Sequence, residues 1–445
     1  MEKRGNGIER LTNEDLLTEV LSRLRVKWLL RCKAVCKAWS SLISSPSFIK
    51  SHIHRVAKQD DDDILIGQIS RFAEDDDFQQ VDDSFSLLHS RYHQYVAHLI
   101  FPYSKGDYSF WPDSRLLGSD CGIVCVSVTG DNTSDLYLWN PATKRSKLIP
   151  PWTINIDDFR ERVAVGVGFD LVDFDFKVVR VVFLIPAERK FLGDNRYLAI
   201  YSSDKDELKS AIENASVEVY SAKRNTWEKI QGQLTDVPRR HCFDLCLRGF
   251  LFAIGYYGMM AFDLNKEVFR CDIKLPISTA GLSTLVVDYK DSIAVISYKF
   301  RGPDYKINLW TLDNEACLCG GDGGVEASWT FMLSVNVGET FDYARMLFNS
   351  VQFLLLITNE TVAGEWFSYD LVKKVGDFIH IYPFFDFCNV FKYTESLVSI
   401  PGMKLIEWPA DEDENEGNNS EDDSDEDSYW SDDGNVESDA DSEVE

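Results

Sequence analysis

The spacing of apolar residues divides the chain into a helical beginning and a long β region. Over residues 11–57, apolar side chains recur every three or four positions, the period of an amphipathic helix. The stripe of a first helix consists of Leu17, Val20, Leu21 and Leu24. The stripe of a second consists of Leu29, Cys32, Cys36, Trp39 and Ile43. Ser45 followed by Pro46 predicts the cap and first position of a third helix. Three short helices with such wide apolar stripes cannot cover one another, which predicts a partner-binding surface.

From about residue 95 to residue 408, short runs of Val, Ile, Leu and aromatic residues alternate with polar turns, which predicts β-strands. One unit recurs: a strand that ends in an aromatic residue, a polar turn and a second strand. Its aromatic positions are Trp139, Tyr220, Phe262, Trp310 and Tyr369. A repeat of roughly 40–50 residues is the period of propeller blades, and the longest gap leaves room for a degenerate unit near 197–203. An open array of β-sandwiches is the alternative that the irregular spacing leaves open.

Charge is distributed unevenly along the chain. The net charge of the 445 residues is −27, but residues 411–445 contain 18 Asp and Glu and no Lys or Arg. The remaining 55 acidic and 46 basic residues give residues 1–410 a net charge of −9. The final segment has too little apolar content to offset its ordering entropy, so a disordered acidic tail is predicted over 409–445. An acidic body also argues against nucleic acid as a general partner.

The cysteine content and the lack of long apolar runs bear on location. Ten cysteines in a chain of this length are far below the density of a disulfide scaffold. No secretory signal precedes the helices, and runs such as VQFLLLI (351–357) are too short to span a bilayer. We therefore expect a cytoplasmic or nuclear protein that is not secreted and has no membrane partner.

Candidate chemical motifs have structural explanations. Cys32 and Cys36, with His52 and His54 nearby, could contribute to a zinc site, but their spacing is not that of known zinc motifs. The glycine-rich stretch at 319–324 lacks the Lys-Ser/Thr of a phosphate-binding loop. No nucleophile–base motif occurs. We expect no metal, no cofactor and no enzymatic activity, with a propeller enzyme as the open alternative.

A basic run surrounds the second predicted helix. Nine Lys and Arg and no acidic residue occur between Arg23 and Lys58. A helix-turn-helix DNA-binding regulator is one interpretation. The apolar stripe favours a protein partner instead, because a DNA-reading helix needs polar side chains toward base edges.

The sequence DLLTEVLSRLRVKWLLRCKAVCKAWSSLISSPSFIKSH (15–52) resembles the F-box of plant proteins over nearly its whole length. GSDCGIVCV, LYLWNPATKR, GVGFDLVDFDFKVVRV, VEVYSAKRNTWEKI and YTESLVSI resemble hallmarks of the F-box-associated domain of the same proteins. The combination is most similar to the S-locus F-box and F-box-like group, whose Y-x-E-S-L-V motif matches residues 393–398.

The resemblance implies an α+β multidomain protein: a three-helix F-box over residues 8–55, a mainly-β, kelch- or propeller-like domain over 60–408, and the acidic tail. It also implies a substrate receptor of a cullin–RING ubiquitin ligase, in which the F-box binds a Skp-type adaptor, and through it the cullin and RING subunits. The β domain would bind a protein substrate, which in the S-locus group is a basic ribonuclease. The expected adaptor surface and helical core consist of Leu16, Val20, Leu21, Leu24, Val26, Leu29, Leu30, Val35 and Trp39.

Three positions depart from the F-box pattern. Asn13 and Arg25 replace prolines, and Trp28 replaces a serine. Since the prolines help to shape the adaptor contact, these changes leave open an F-box-like protein without ligase activity.

Overall fold

The fold is seen in a computed structural model of the chain. It describes residues 13–56, 64–69, 84–89, 95–100, 113–129, 134–151, 161–184, 205–231, 234–276, 279, 282–298, 306–319, 326–336, 343–349, 352–359, 362–370, 373–379 and 390–406. The chain divides into two units, Met1–Ile406 and Glu407–Glu445, and all described residues belong to the first. The predicted acidic tail lies outside the described residues. The predicted domain boundaries stay predictions.

Residues 13–56 form a helical module of α1 (Asn13–Leu21), α2 (Val26–Cys32), α3 (Lys37–Ile43) and α4 (Pro46–Val56). The prediction of one helix through Leu29–Ile43 is wrong, because the chain turns after Cys32 and starts again at Lys37. The Sγ of Cys36 accepts a hydrogen bond from Trp39 N at 3.5 Å, so this residue caps α3 instead of lying within a helix. The predicted helix start after Ser45 is confirmed, since Ser45 Oγ accepts a hydrogen bond from Phe48 N at 3.2 Å.

The rest of the described chain consists of strands and two short helices. The first strands are β1 (Ile64–Ile69), β2 (Ser84–His89) and β3 (Tyr95–Ile100). Blade 1 consists of β4 (Asp113–Asp120), β5 (Ile123–Thr129), β6 (Ser134–Asn140) and β7 (Arg145–Leu148). Blade 2 consists of β8 (Glu161–Asp170), β9 (Asp175–Leu184), β10 (Ser216–Ser221) and β11 (Thr226–Ile230), with α5 (Lys205–Glu213) before β10. Blade 3 consists of β12 (Leu245–Leu247), β13 (Phe250–Ile254), β14 (Met259–Asp263) and β15 (Val268–Ile273).

Blade 4 consists of β16 (Ser283–Tyr289), β17 (Ser292–Tyr298), β18 (Lys306–Leu312) and β19 (Trp329–Asn336), with α6 (Ala316–Cys319) before β19. Blade 5 consists of β20 (Tyr343–Asn349), β21 (Gln352–Asn359), β22 (Val362–Asp370) and β23 (Val375–Ile379). The last strands are β24 (Val390–Tyr393) and β25 (Lys404–Leu405). All pairs between the described strands are antiparallel. Most join strands that are consecutive in the chain, whereas β24 pairs with β1 and β25 pairs with β7.

The described sheets close into a six-bladed ring. Strand β24 pairs antiparallel with β1, with Ile64 opposite Tyr393, so blade 6 is built from both ends of the β region in the order β24-β1-β2-β3. The innermost strands β4, β8, β12, β16, β20 and β24 each contact the next, and β24 contacts β4. A closed ring leaves no inner sheet edge unprotected. The predicted propeller is therefore confirmed, and the open array is not observed.

The five predicted repeat units are the outer hairpins of blades 1 to 5. Their aromatic positions all lie on the third strand of a blade, on β6, β10, β14, β18 and β22. The suggested unit near 197–203 lies outside the described residues. Because β4 contacts β8 directly, no blade lies between blades 1 and 2. The sixth blade has strands at 64–69 and 84–89 instead, before the predicted start of the β region.

Candidate functional site

The helical module has a small apolar core of its own. Leu21, Val26 and Leu29 are buried there together with Ile43 and Phe48. The core also encloses His52, whose Nε2 donates a hydrogen bond to Leu24 O at 2.9 Å and whose ring stacks on Phe48. This bond places the proton on Nε2, and among the described residues Nδ1 has no partner. The imidazole is therefore held neutral, and burial lowers its pKa.

The structure separates the nine expected adaptor residues into three groups. Leu21, Val26 and Leu29 belong to the core of the module. Leu24, Leu30 and Trp39 are half-buried and pack against that core. Leu16, Val20 and Val35 have exposed fractions of 50%, 60% and 64%. Leu16 and Val20 are four residues apart on α1 and so share one face of the helix.

Trp28 adds a fourth large apolar side chain to the exposed group. Its exposed fraction is 51%, and the guanidinium of Arg31 lies 4.6 Å from the ring centroid. Such a cation–π pair keeps the aromatic ring at the surface beside a positive charge. The sequence marks Trp28 only as a departure from the family pattern, because an apolar stripe does not show which way an extra aromatic points.

Glu19 connects the first and last helices of the module. Its carboxylate accepts hydrogen bonds from Arg55 at 2.7 Å and from Arg23 at 2.8 Å. These two arginines lower the pKa of Glu19. Two residues of the basic run are thus used within the module to orient α1 against α4.

The module is seated on blades 1 and 2 and shares its core with them. The helical residues Leu21, Val26 and Leu29 belong to one apolar cluster with Val165, Val178 and other buried residues of the two blades. Lys50 Nζ on α4 donates a hydrogen bond to Leu171 O, in the turn between β8 and β9, at 3.4 Å. We call the end of the propeller that carries this turn the module-side face. The turns β4–β5 and β12–β13 lie at the same end, because they also join the first and second strands of a blade.

Residues 394–406, here called the strap, follow the ring-closing strand β24 and hold the helical module and the blades together. Asn140 Nδ2 donates to Ser396 O at 3.1 Å and to Val398 O at 2.8 Å. Lys147 Nζ donates to Pro401 O at 2.7 Å. The strap then ends as β25, which pairs with β7 on the outer edge of blade 1. The apolar strap residues Leu397, Val398, Ile400 and Met403 belong to the same cluster as the core of the helical module.

The β4–β5 turn is shaped to fit the strap. Cys121 and Gly122 both have positive φ, 48° and 79°, as a type I′ hairpin turn requires. Ser396 Oγ donates a hydrogen bond to Cys121 O. A Cβ on Gly122 would lie 2.4 Å from Ser396 Oγ and 2.8 Å from Ser396 N. The glycine is therefore needed both for its backbone conformation and for close approach of the strap.

Charged groups of the module also interact with charged groups of the strap and of blade 1. Burial raises the pKa of the Glu395 carboxyl in the strap, while Arg25 acts on it in the opposite direction. Burial lowers the pKa of Lys33, and Arg145 on β7 lowers it further. The strap and the contacts between the helical module and the blades were not predicted, since no local sequence pattern links residues 25 and 395.

The cysteines give no metal site in the described part of the chain, where no group of three His, Cys, Asp or Glu side chains could hold an ion. Cys121 and Cys246 lie near the half-buried Asp120 instead, and Cys246 Sγ donates to Asp120 Oδ2 at 3.3 Å. Burial raises the pKa of both thiols, so they stay protonated. Cys125 is buried in β5.

Comparison with known families accounts for this arrangement of helices and blades. A family model described as F-box associated beta propeller domain matches residues 78–317, more than half of the chain, and a model described as F-box-like matches residues 14–55. The chain belongs to the F-box-associated β-propeller family. The helical module is its F-box, and the ring of blades is its associated domain.

Similar proteins carry the F-box in their names. F-box protein CPR1 of Arabidopsis thaliana is 29% identical over 347 residues, covering 74% of this chain and 70% of that protein. F-box protein At2g21930 of the same species is 26% identical over 323 residues, covering 68% and 69%. Putative F-box/kelch-repeat protein At1g12170, also from that species, is 24% identical over 335 residues, covering 73% and 79%. Among the described helices, none has the length and apolar run needed to cross a membrane.

Proposed function

We propose that this chain is the substrate receptor of a Skp–cullin–RING ubiquitin ligase. The F-box binds a Skp-type adaptor, and the propeller binds a protein substrate. Ubiquitin transfer belongs to the charging and RING partners, so the chain itself needs no catalytic group. The observation that carries the proposal is the exposure of Leu16, Val20 and Val35 on an otherwise packed helical module. Large apolar side chains that a small module leaves at its surface, next to or within a basic run, fit an apolar and acidic partner surface.

The departures from the F-box pattern are compatible with this proposal. Arg25 stands where the family has proline, and it precedes α2 with φ −63° and ψ 153°. A proline ring imposes a φ close to that value, so proline would fit the backbone at this position. Asn13 is the first residue of α1. Trp28 adds exposed apolar area to the same module, which supports adaptor binding as long as the adaptor accommodates the ring.

The test is a quantitative pull-down of a Skp-type adaptor with the full chain. Leu16→Asp and Val20→Asp are each expected to weaken binding about tenfold or more, because they place a charge in the apolar contact. Leu148→Asp is the matched control, since Leu148 on β7 is 48% exposed and lies on the propeller. Equal adaptor binding by wild type, Leu16→Asp and Val20→Asp would contradict the proposal. Leu24→Asp is a poor probe, because Leu24 packs on the core and its carbonyl accepts the His52 bond.

The narrower hypothesis of an S-locus receptor for a basic ribonuclease stays a prediction. It draws on the match of residues 393–398 and on the acidity of the body. The same residues close the ring and begin the strap, as Tyr393 pairs with β1 and Ser396 binds the β4–β5 turn. The match therefore has an architectural explanation. Co-purification of a style ribonuclease with the full chain would support the hypothesis, and its absence from such complexes would count against it.

A further inference from the structure

A rigid turn lies on the face of the propeller opposite the F-box. Residues 255–258, Gly-Tyr-Tyr-Gly, join β13 to β14, the second and third strands of blade 3. The β12–β13 turn lies on the module-side face, and β13 runs away from it, so residues 255–258 lie at the far end of the blade. The segment 236–244, which leads into β12, runs beside this turn, since Arg239 N donates to Ile254 O at 2.9 Å.

The turn is held in one conformation by a buried carboxylate. Asp236 accepts hydrogen bonds from the backbone N–H groups of Tyr256, Tyr257 and Gly258 at 2.8, 2.8 and 3.1 Å. A Cβ on Gly255 would lie 2.2 Å from Asp236 Oδ2, and one on Gly258 would lie 2.6 Å from Ile273 O. Both glycines are needed for this close packing. The two tyrosines are therefore presented by a preformed turn, which lowers the entropy lost when a partner binds.

Two arginines act on Tyr256. Arg239 Nη2 donates to Tyr256 O at 3.0 Å, and its guanidinium carbon lies 5.6 Å from the Tyr256 ring centroid. Arg162, near the start of β8 in the neighbouring blade, acts electrostatically on the same tyrosine: burial raises the pKa of Tyr256, and Arg239 and Arg162 lower it. Tyr257 has an exposed fraction of 58%. Together Arg162, Arg239, Tyr256 and Tyr257 form what we call the Arg–Tyr surface.

The charge of this surface differs from that of the rest of the body. Among the described residues, neither Arg162 nor Arg239 forms an ion pair with a carboxylate, whereas nearby Arg240 pairs with Asp244 at 3.5 Å. The buried Asp236 is saturated by backbone donors. Arg162 and Arg239 thus offer two positive charges that pair with no described carboxylate, above the one buried carboxylate of Asp236, on a body whose net charge over residues 1–410 is −9. A basic partner segment would be repelled here, and an anionic one attracted.

We propose that the Arg–Tyr surface binds an anionic segment of the protein substrate, with carboxylate or phosphate groups on the arginines and neighbouring side chains on the tyrosines. This inference rests on the proposed receptor function. Arginine forks recognise planar carboxylates and phosphates through paired N–H donors, and Tyr and Arg are the residues that dominate binding at interfaces. The surface lies at the opposite end of the blades from the adaptor-binding module, so both partners can be held at once.

The experiment measures fluorescence anisotropy of a labelled peptide of alternating Glu and Ser, of its phosphoserine form, and of a form with Gln in place of Glu. Binding is measured with the full chain and with a chain ending at residue 410, which keeps the whole compact unit and lacks most of the acidic tail. Arg162→Glu, Arg239→Glu and Tyr257→Ala are each expected to weaken binding about tenfold or more. The Glu and phosphoserine peptides distinguish carboxylate from phosphate as the preferred anion.

Lys229→Glu is the matched control, because it makes the same charge change at an exposed position on the outer strand of blade 2. Selective loss in the Arg–Tyr variants, with weaker binding at higher salt, would support the proposal. Failure of both chain forms to bind either anionic peptide, an equal loss with Lys229→Glu, or tighter binding of an RNA oligonucleotide than of the peptides would overturn it. The same variants are expected to hold the adaptor like wild type. If the wild-type chain does not bind the adaptor, the proposed receptor function is refuted, whereas the peptide result is unaffected.

Discussion

The two faces of the propeller use hairpin turns for different purposes. On the module-side face, the β4–β5 turn lies against the strap, and Cys121 O accepts a hydrogen bond from Ser396 Oγ, 275 positions away. On the opposite face, the turn at 255–258 is bonded to Asp236 of the same blade and leaves Tyr257 exposed. The first turn is thus covered by the chain itself, whereas the second is held in place and presents an exposed side chain. Loss of a side chain should therefore destabilise the fold on the first face and alter binding on the second.

The largest expected effect is on the glycine beneath the strap. Gly122→Ala should lower the free energy of unfolding by about 3 kcal/mol, because it adds backbone strain and a steric clash with Ser396. Gly249 is the control, since it has φ 81°, close to the 79° of Gly122, but a Cβ added to it would have no atom within 4 Å. Gly249→Ala should therefore cost about 1 kcal/mol. Urea unfolding followed by tryptophan fluorescence measures both, and equal losses would show that the strap does not press on the turn.

A somewhat smaller effect is expected from Asn140, which is fully buried. Asn140→Ala removes two donors to strap carbonyls and leaves both carbonyls buried, which should cost about 2–3 kcal/mol. Tyr257→Ala, on the opposite face, should change the free energy of unfolding by less than about 0.5 kcal/mol. The same denaturation experiment tests the pair. A large loss with Tyr257→Ala would break the contrast between the two faces.

The smallest effect is a pH dependence that originates in the F-box. Burial lowers the pKa of His52 below its ordinary value of 6.5. As the pH falls through about 6.5, His52 therefore binds a proton in the unfolded chain before it does so in the folded chain. The contribution of neutral His52 to stability is complete above about pH 6.5 and decreases as the pH falls below that value. His52→Gln should reduce this dependence between about pH 7.5 and about pH 5.5, relative to wild type. Parallel slopes for the two proteins would show that other groups control it.

The shared core has a consequence for the organisation of the chain. The F-box and the propeller were predicted as separate domains, yet Leu21 and Leu29 belong to one apolar cluster with strap residues Leu397 and Val398. A fragment that begins after the F-box would expose this part of the cluster to water. The orientation of the F-box relative to the propeller is therefore fixed by packing.

Local patterns were sufficient for much of the fold. The alternation around Trp139, Tyr220, Phe262, Trp310 and Tyr369 marked the third strand of five blades, because each hairpin is contiguous in sequence. The sixth blade was missed, since its strands come from residues 64–100 and 390–393 and form no contiguous repeat. The break at Cys36 was missed for a different reason: a cysteine fits an apolar stripe, and only the hydrogen bond to Trp39 N identifies it as a cap.

The sequence by itself determined the class of the protein: its F-box residues, its blade period, its acidic end and the apolar set from which an adaptor surface could be drawn. These features depend on neighbours within a few positions, where the periods of helix and strand act. Only the tertiary structure separated exposed Val20 from buried Leu21, placed the strap on Gly122, and brought Asp236 to the backbone N–H groups of the turn at 255–258. Each of these depends on groups from distant segments that meet in space. The burial and the electrostatic surroundings of a residue are decided by how the chain packs, and not by its neighbours in the sequence.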